Sequence, residues 1–161
     1  QLKEAEERGL DVKKHDLTKK WPYKEGSFDI VLASEIIEHV FDTDFFLLEC
    51  KRVLKEGGTL ILSTPNICSL GGRIRCLLGK RPPAIDCRAK HYTPGHIRAF
   101  SHHDLKTLFI ENGLKVETFT GDDFYLPFIS QNTPFLGKIC YSLSNLFPTF
   151  SPGLIFKCKK I

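Results

Sequence analysis

Methionine is absent from all 161 residues, and the chain opens on Gln1. A chain with neither an initiator Met nor an internal one is expected to be a piece of a longer polypeptide that enters mid-domain. Tryptophan occurs once, and no stretch reaches the roughly 20 consecutive apolar residues that cross a bilayer as a helix. The six cysteines, at 50, 68, 76, 87, 140 and 158, form no C-x-x-C pair and no zinc-like spacing. No charged-then-apolar leader precedes them, which argues against a secreted disulfide scaffold and for free thiols in a cytoplasmic protein. The net charge of +4 is small, and the basic residues are dispersed apart from Lys19-Lys20 and the run from Lys157 to Lys160. A nucleic-acid partner is therefore not expected.

What is present suits one ordinary domain, at 42% hydrophobic and 26% charged residues. Leu2 to Arg8 has helical composition and stops at Gly9, the residue type that ends helices in a left-handed conformation. Asp11 to His15 is a short strand candidate. Phe28 to Ala33 is a nearly unbroken apolar run behind Gly26-Ser27, as in a strand buried on both faces. Phe45 to Leu54 has helical apolar spacing closed by Lys55-Glu56-Gly57-Gly58, and Thr59 to Ser63 is another β-rich run stopped by Thr64-Pro65-Asn66. Strand, helix, turn and strand make a right-handed βαβ unit, which sets Ala33 to His39 beside Ser63 to Asn66 at the carboxyl edge, where open α/β sheets bind ligands. Further on, Ser101 caps a helix to about Asn112, with strands expected at Leu114 to Phe119 and Leu154 to Lys159.

Four stretches in order carry a resemblance: Asp16-Leu17; Phe28-Asp29-Ile30-Val31; Glu35-Ile36-Ile37-Glu38-His39-Val40; and Arg52-Val53-Leu54-Lys55-Glu56-Gly57-Gly58-Thr59-Leu60-Ile61-Leu62-Ser63-Thr64-Pro65-Asn66. Together with His96 to Ser101 and Gly113-Leu114, they resemble the small-molecule branch (types 11 and 23) of the class I S-adenosylmethionine-dependent methyltransferases. The resemblance covers about residues 5 to 120. It implies an α/β, Rossmann-like, mostly parallel sheet with helices on both faces, and S-adenosylmethionine as cofactor. It also implies that the family's first strand, its glycine-rich loop and the acidic residue ending its second strand lie upstream of Gln1, so that the 161 residues alone are expected to bind the cofactor weakly and to be inactive.

By the same resemblance, Asp16 would accept a hydrogen bond from the adenine amino group while the Leu17 backbone meets a ring nitrogen. Ala33, Ser34 and Glu35 would run beneath the methionine part of the cofactor, and Ile37 would cover the adenosine. Quinone O-methyltransferases carry a similar Glu-x-x-Glu-His, which makes Glu35, Glu38 and His39 a divalent-metal candidate; because Glu-His recurs in relatives without metals, the expectation is that the set holds none. The leaving sulfonium needs no acid, so only the acceptor calls for a base, and His39, His91 and His96 are the candidates.

Residues 67–100 are long for a connection and rich in Gly, Pro, Arg and Lys, as a lid or acceptor-side insertion would be. From Phe124 to about Pro152 the chain turns aromatic and apolar, broken by prolines, as an apolar helical region that packs before the last strand or docks on a membrane surface. The expectation is a single partial methyltransferase domain over 1–161, acting on a small-molecule, glycan or lipid-like acceptor. A degenerate, non-catalytic domain that binds a partner is the alternative. A dinucleotide-dependent reductase is disfavoured, because Gly57-Gly58 lies between helix and strand, the reverse of the order its phosphate loop requires.

Overall fold

A computed structural model describes residues 2–85, 95–122 and 134–161, without the side chains of 134–137 and 139. The elements run α1 (Leu2–Glu7), β1 (Phe28–Ser34), a 3-10 turn (Ile37–His39), α2 (Thr43–Val53), β2 (Leu54–Pro65), α3 (Leu70–Leu77), α4 (His102–Glu111), β3 (Leu114–Gly121), α5 (Pro134–Leu146), a second 3-10 turn (Pro148–Phe150) and β4 (Gly153–Lys160). The strands form one mixed sheet in the order β1-β2-β4-β3. β1 and β2 are parallel, while β4 runs antiparallel to both β2 and β3. Among the described strands the parallel character expected of the sheet is thus carried by the β1-β2 pair.

Asp42 starts α2 by accepting the Phe45 N–H at 2.9 Å, so the helix begins two residues ahead of its apolar pattern. Phe46, Leu47, Cys50 and Val53 recur at helical spacing and enter the core. The chain then passes directly into β2, which opens earlier than the expected Thr59 because its first turn is a bulge. The register jumps from Phe28 opposite Leu54 to Ile30 opposite Thr59, with Gly57 in the left-handed region at φ 68°. At Gly58 a Cβ would stand 2.8 Å from the Lys55 carbonyl oxygen, so the close passage requires glycine. Ser101 and Asp104 form a reciprocal capping box at the start of α4, where the sequence placed its N-terminus.

Two expectations are corrected. Asp11 to His15 is not a strand: it pairs with none of the described strands, and an extended segment without a partner forms no ladder. β1 is not buried on both faces: Ala33 faces the core, whereas Ile30 and Leu32 are 60% and 68% exposed. Strand alternation sends those two side chains to the opposite face, where the described residues leave them largely exposed.

β4 is an interior strand, flanked by β2 and β3. Its Phe156 ring stacks on Phe119 at 5.4 Å between centroids and meets Phe109 at 5.3 Å, which ties β3 and α4 to the sheet. The basic run at the end of the chain belongs to this packing. Lys157 pairs with Glu117 at 2.8 Å, Lys159 donates to the Gly57 carbonyl, and the buried Lys160 bridges Glu56 and the Leu54 carbonyl, both at 2.9 Å. Burial raises the Cys50 and Cys158 thiols to about 12, leaving them protonated and inert.

At the carboxyl end of β2 the buried Asn66 satisfies three backbone groups. Its amide donates to the Thr149 and Ser151 carbonyls at 2.9 and 2.8 Å, and its oxygen accepts the Cys68 N–H at 2.9 Å. The Asn66→Ala variant leaves all three without a partner. We expect urea unfolding to show a loss of about 2–4 kcal/mol; a change below about 0.5 kcal/mol would show that the contacts are dispensable.

Candidate functional site

Parallel pairing aligns the carboxyl ends of β1 and β2, with Ala33 opposite Leu62 and Ser34 opposite Ser63. A row of polar side chains starts there. The Ser34 and Ser63 hydroxyls lie 3.1 Å apart, and Ser63 donates to Glu35 Oε1 at 2.9 Å. Glu35 leaves the strand in a left-handed conformation at φ 52°, rare for a residue with a side chain, while its N–H donates to the Ser63 carbonyl at 3.1 Å. That turn ends the strand and prevents residues 35–39 from forming the α-helical face on which Glu35, Glu38 and His39 would have stood together.

One turn further, Glu38 is 1% exposed. Oε2 accepts the Thr64 hydroxyl at 3.0 Å, and Oε1 has no hydrogen-bond partner among the described residues, standing 3.8 Å from His39 Nε2. The Glu38 carbonyl accepts both the Ile97 and the Arg98 N–H, at 3.0 and 3.2 Å, while the Arg98 guanidinium reaches the Val40 and Phe41 carbonyls. Residues 95–98 are thereby docked against the 3-10 turn, which brings His96 to His39 with ring centroids 5.0 Å apart. The donor atoms of Glu38, His39 and His96 all lie within 4.8 Å of one another. The trio that geometry assembles therefore contains His96 in the place where Glu35 was expected. Nδ1 of His39 faces the Gly95 carbonyl at 3.4 Å, and Nδ1 of His96 faces the Ala84 carbonyl at 2.9 Å. A carbonyl only accepts, so Nδ1 carries the proton in each ring and Nε2 is the basic nitrogen of the neutral imidazole. His91 lies outside the described residues.

Beside this polar row is a cleft of about 230 Å³ lined by His15, Leu17, Trp21, Ala33, Ile36 and Phe46, among others. Its base is held by Arg52, which pairs with the buried Glu49 at 2.6 Å and donates to the Trp21 and Tyr23 carbonyls at 3.1 and 2.8 Å. Glu49 in turn accepts the Trp21 N–H at 2.6 Å. Leu17 and Ala33, both expected around a cofactor, line this cleft. Ile37 does not, being fully buried in the core, and its neighbour Ile36 takes the cleft position. Asp16 is at the surface, its carboxylate accepting the Thr18 N–H and hydroxyl at 3.0 and 2.7 Å. Those bonds hold it below the usual carboxylate range, with Lys19 adding to the effect. The sequence reading missed His15, Trp21 and Ile36. The available signal was the lone tryptophan, four residues past Leu17.

The cleft lining is largely apolar and partly aromatic, chemistry compatible with the nucleoside of S-adenosylmethionine. The Trp21 indole N–H, buried without a partner among the described residues, is a further polar group at its wall.

The mixed sheet, with its parallel pair ending at such a cleft, is a Rossmann-like α/β arrangement. Solved structures share it: an S-adenosylmethionine-dependent methyltransferase from Thermotoga maritima aligns over 98% of this chain and 67% of its own at TM-score 0.65 and 22% identity. A second, from Mesorhizobium loti, aligns over 99% and 75% at TM-score 0.61 and 16% identity. In sequence, the methyltransferase domain family matches residues 1–62. The human mitochondrial ubiquinone biosynthesis O-methyltransferase is 34% identical over 102 residues, covering 63% of this chain and 27% of that protein. The ubiquinone biosynthesis O-methyltransferase of Caulobacter vibrioides is 42% identical over 105 residues, covering 60% and 41%. The chain is thus similar in fold, and over residues 1–62 in sequence, to S-adenosylmethionine-dependent methyltransferases, and it spans about a quarter to two-fifths of the length of these curated relatives.

Partial withdrawal from water raises the Glu35 carboxyl above its ordinary range; the Ser63 hydroxyl opposes that rise, while the Glu38 and Asp122 charges add to it. Deleting the hydroxyl in Ser63→Ala removes the main stabiliser of the ionised form. The Glu35 titration, followed by carboxyl NMR, is expected to move further upward; a downward move would overturn this assignment of causes.

Proposed function

We propose that the whole protein transfers a methyl group from S-adenosylmethionine to a hydroxyl of a small-molecule, glycan or lipid-like acceptor, and that this chain supplies one side of the cofactor cleft together with the acceptor base. What carries the reading is the cleft at the end of β1, whose lining residues Ala33 and Ile36 bracket the Ser34-Glu35 turn that leads on to Glu38 and His39. When bound, S-adenosylmethionine supplies an electrophilic methyl group on a sulfonium that departs without protonation.

Leu17, Ala33 and Ile36 pack against the nucleoside, and Ser34 and Glu35 offer acceptors at the strand end. His39, whose side chain is 30% exposed beside the 2% exposed carboxylate of Glu38, receives the acceptor's proton at Nε2. Glu38 then faces an imidazolium instead of an imidazole and stabilises it. His96 holds the His39 ring from the other side. Glu38, His39 and His96 also have the chemistry to hold a divalent ion, but this proton path does not call on one. Free thiols at Cys50, Cys68, Cys76, Cys140 and Cys158 support a reducing, cytoplasmic setting. No helix among the described residues is long and apolar enough to cross a membrane.

The relatives' extra length supports the view that cofactor binding is completed outside these 161 residues. Calorimetric titration of S-adenosylmethionine is expected to give micromolar binding, about 8 kcal/mol, only in the protein extended by its adjoining upstream coding sequence. Binding by neither form would favour the degenerate partner-binding domain. In the extended protein, His39→Gln should lower the methyl-transfer rate by about 10²–10⁴-fold with cofactor affinity unchanged; equal loss of both would make His39 a binding residue.

A further inference from the structure

The helix α3 is built the wrong way round for a helix that serves the core. Its only buried residue is Gly72, where a Cβ would stand 2.6 Å from the Ile67 carbonyl oxygen, so the helix lies on the body of the protein through that glycine. Leu70, Ile74, Leu77 and Leu78 recur at the i, i+4, i+7, i+8 spacing of an apolar stripe, centred about half a turn away from Gly72. The stripe therefore points outward. Leu77 is 86% exposed, Leu78 66% and Ile74 48%. Scattered apolar residues on a surface need no explanation, but a continuous stripe aimed at solvent does.

The charge around it has one sign. Arg73 and Arg75 flank the stripe, and the chain folds back so that the Lys80 N–H donates to the Arg75 carbonyl at 2.7 Å while Arg75 Nε donates to the Arg81 carbonyl at 2.9 Å. No acidic residue occurs from Ile67 to Ile85. The apolar surface also continues. The Arg73 guanidinium lies 4.9 Å over the Phe150 ring in the second 3-10 turn, which leads back to the exposed Phe147, Leu146 and Tyr141 of α5 and its end.

We propose that α3 docks on an anionic phospholipid surface, its Leu-Ile stripe entering the interface and Arg75, Lys80 and Arg81 meeting lipid phosphates. An amphipathic helix with a basic polar margin binds membranes in this manner, lying in the plane of the interface and not crossing it. Anionic lipid adds attraction for each nearby Lys or Arg. The inference stands on α3 alone, whatever the protein methylates.

The test is co-sedimentation with phosphatidylcholine vesicles and with vesicles containing roughly one-third phosphatidylglycerol. The chain should pellet with the anionic vesicles and lose that binding in high salt. Leu77→Ser together with Leu78→Ser should weaken binding more than tenfold at unchanged circular dichroism, and Arg75→Gln with Lys80→Gln should abolish the preference for anionic lipid. If the double serine chain unfolds early, Leu77→Ser alone carries the test. Equal binding to both vesicles, or no effect of the serines, would overturn the proposal. So would light scattering that finds a dimer which the serines dissociate, since the stripe would then join two copies.

Discussion

A single buried carboxylate organises the site. Glu38 accepts from Thr64 at the end of β2 through its side chain and from Ile97 and Arg98 through its carbonyl, while its other carboxylate oxygen, without a hydrogen-bond partner among the described residues, faces His39. Three stretches distant in sequence converge on one residue. The carboxylate fixes Thr64, and the backbone carbonyl of the same residue fixes Ile97 and Arg98, since buried polar groups are costly unless hydrogen-bonded. His96 reaches His39 because the residue after it is bonded to the Glu38 backbone. The site and the local fold have the same cause.

The parts of the fold legible in the sequence were those with a local signal. The capping box at Ser101 and Asp104 fixed the start of α4, and Gly113 at φ 69° marks its end. Apolar runs located β2, β3 and β4, whose cores agree with the strands found. What escaped was set by tertiary contact. The run at Phe28 to Ala33 reads as doubly buried because it is apolar throughout, yet burial of Ile30 and Leu32 depends on what covers that face, which no local pattern states. The entry to β2 escaped because Gly57-Gly58 signals a turn equally well when it forms a bulge inside a strand.

The site divides in the same way. Leu17 and Ala33 both line the cleft, Ala33 because it ends the strand of the parallel pair. Ile36 and Ile37 exchange roles because the left-handed Glu35 rotates everything after it, and a positive φ on a glutamate has no sequence signature. The proximity of His96 to Glu38 spans 58 positions and arises only from the docked 95–98 segment.

The position of β4 also bears on how the chain acquires its shape during synthesis. The strand between β2 and β3 is the last of the described strands to be made, and roughly 90 residues separate the end of β2 from its start. At ribosomal rates of about 5–20 residues per second, the edge of β2 stands open for about 5–18 seconds before its partner emerges. A nascent chain with a long unpaired apolar strand is a substrate for chaperones, and the order of the strands makes that waiting period unavoidable.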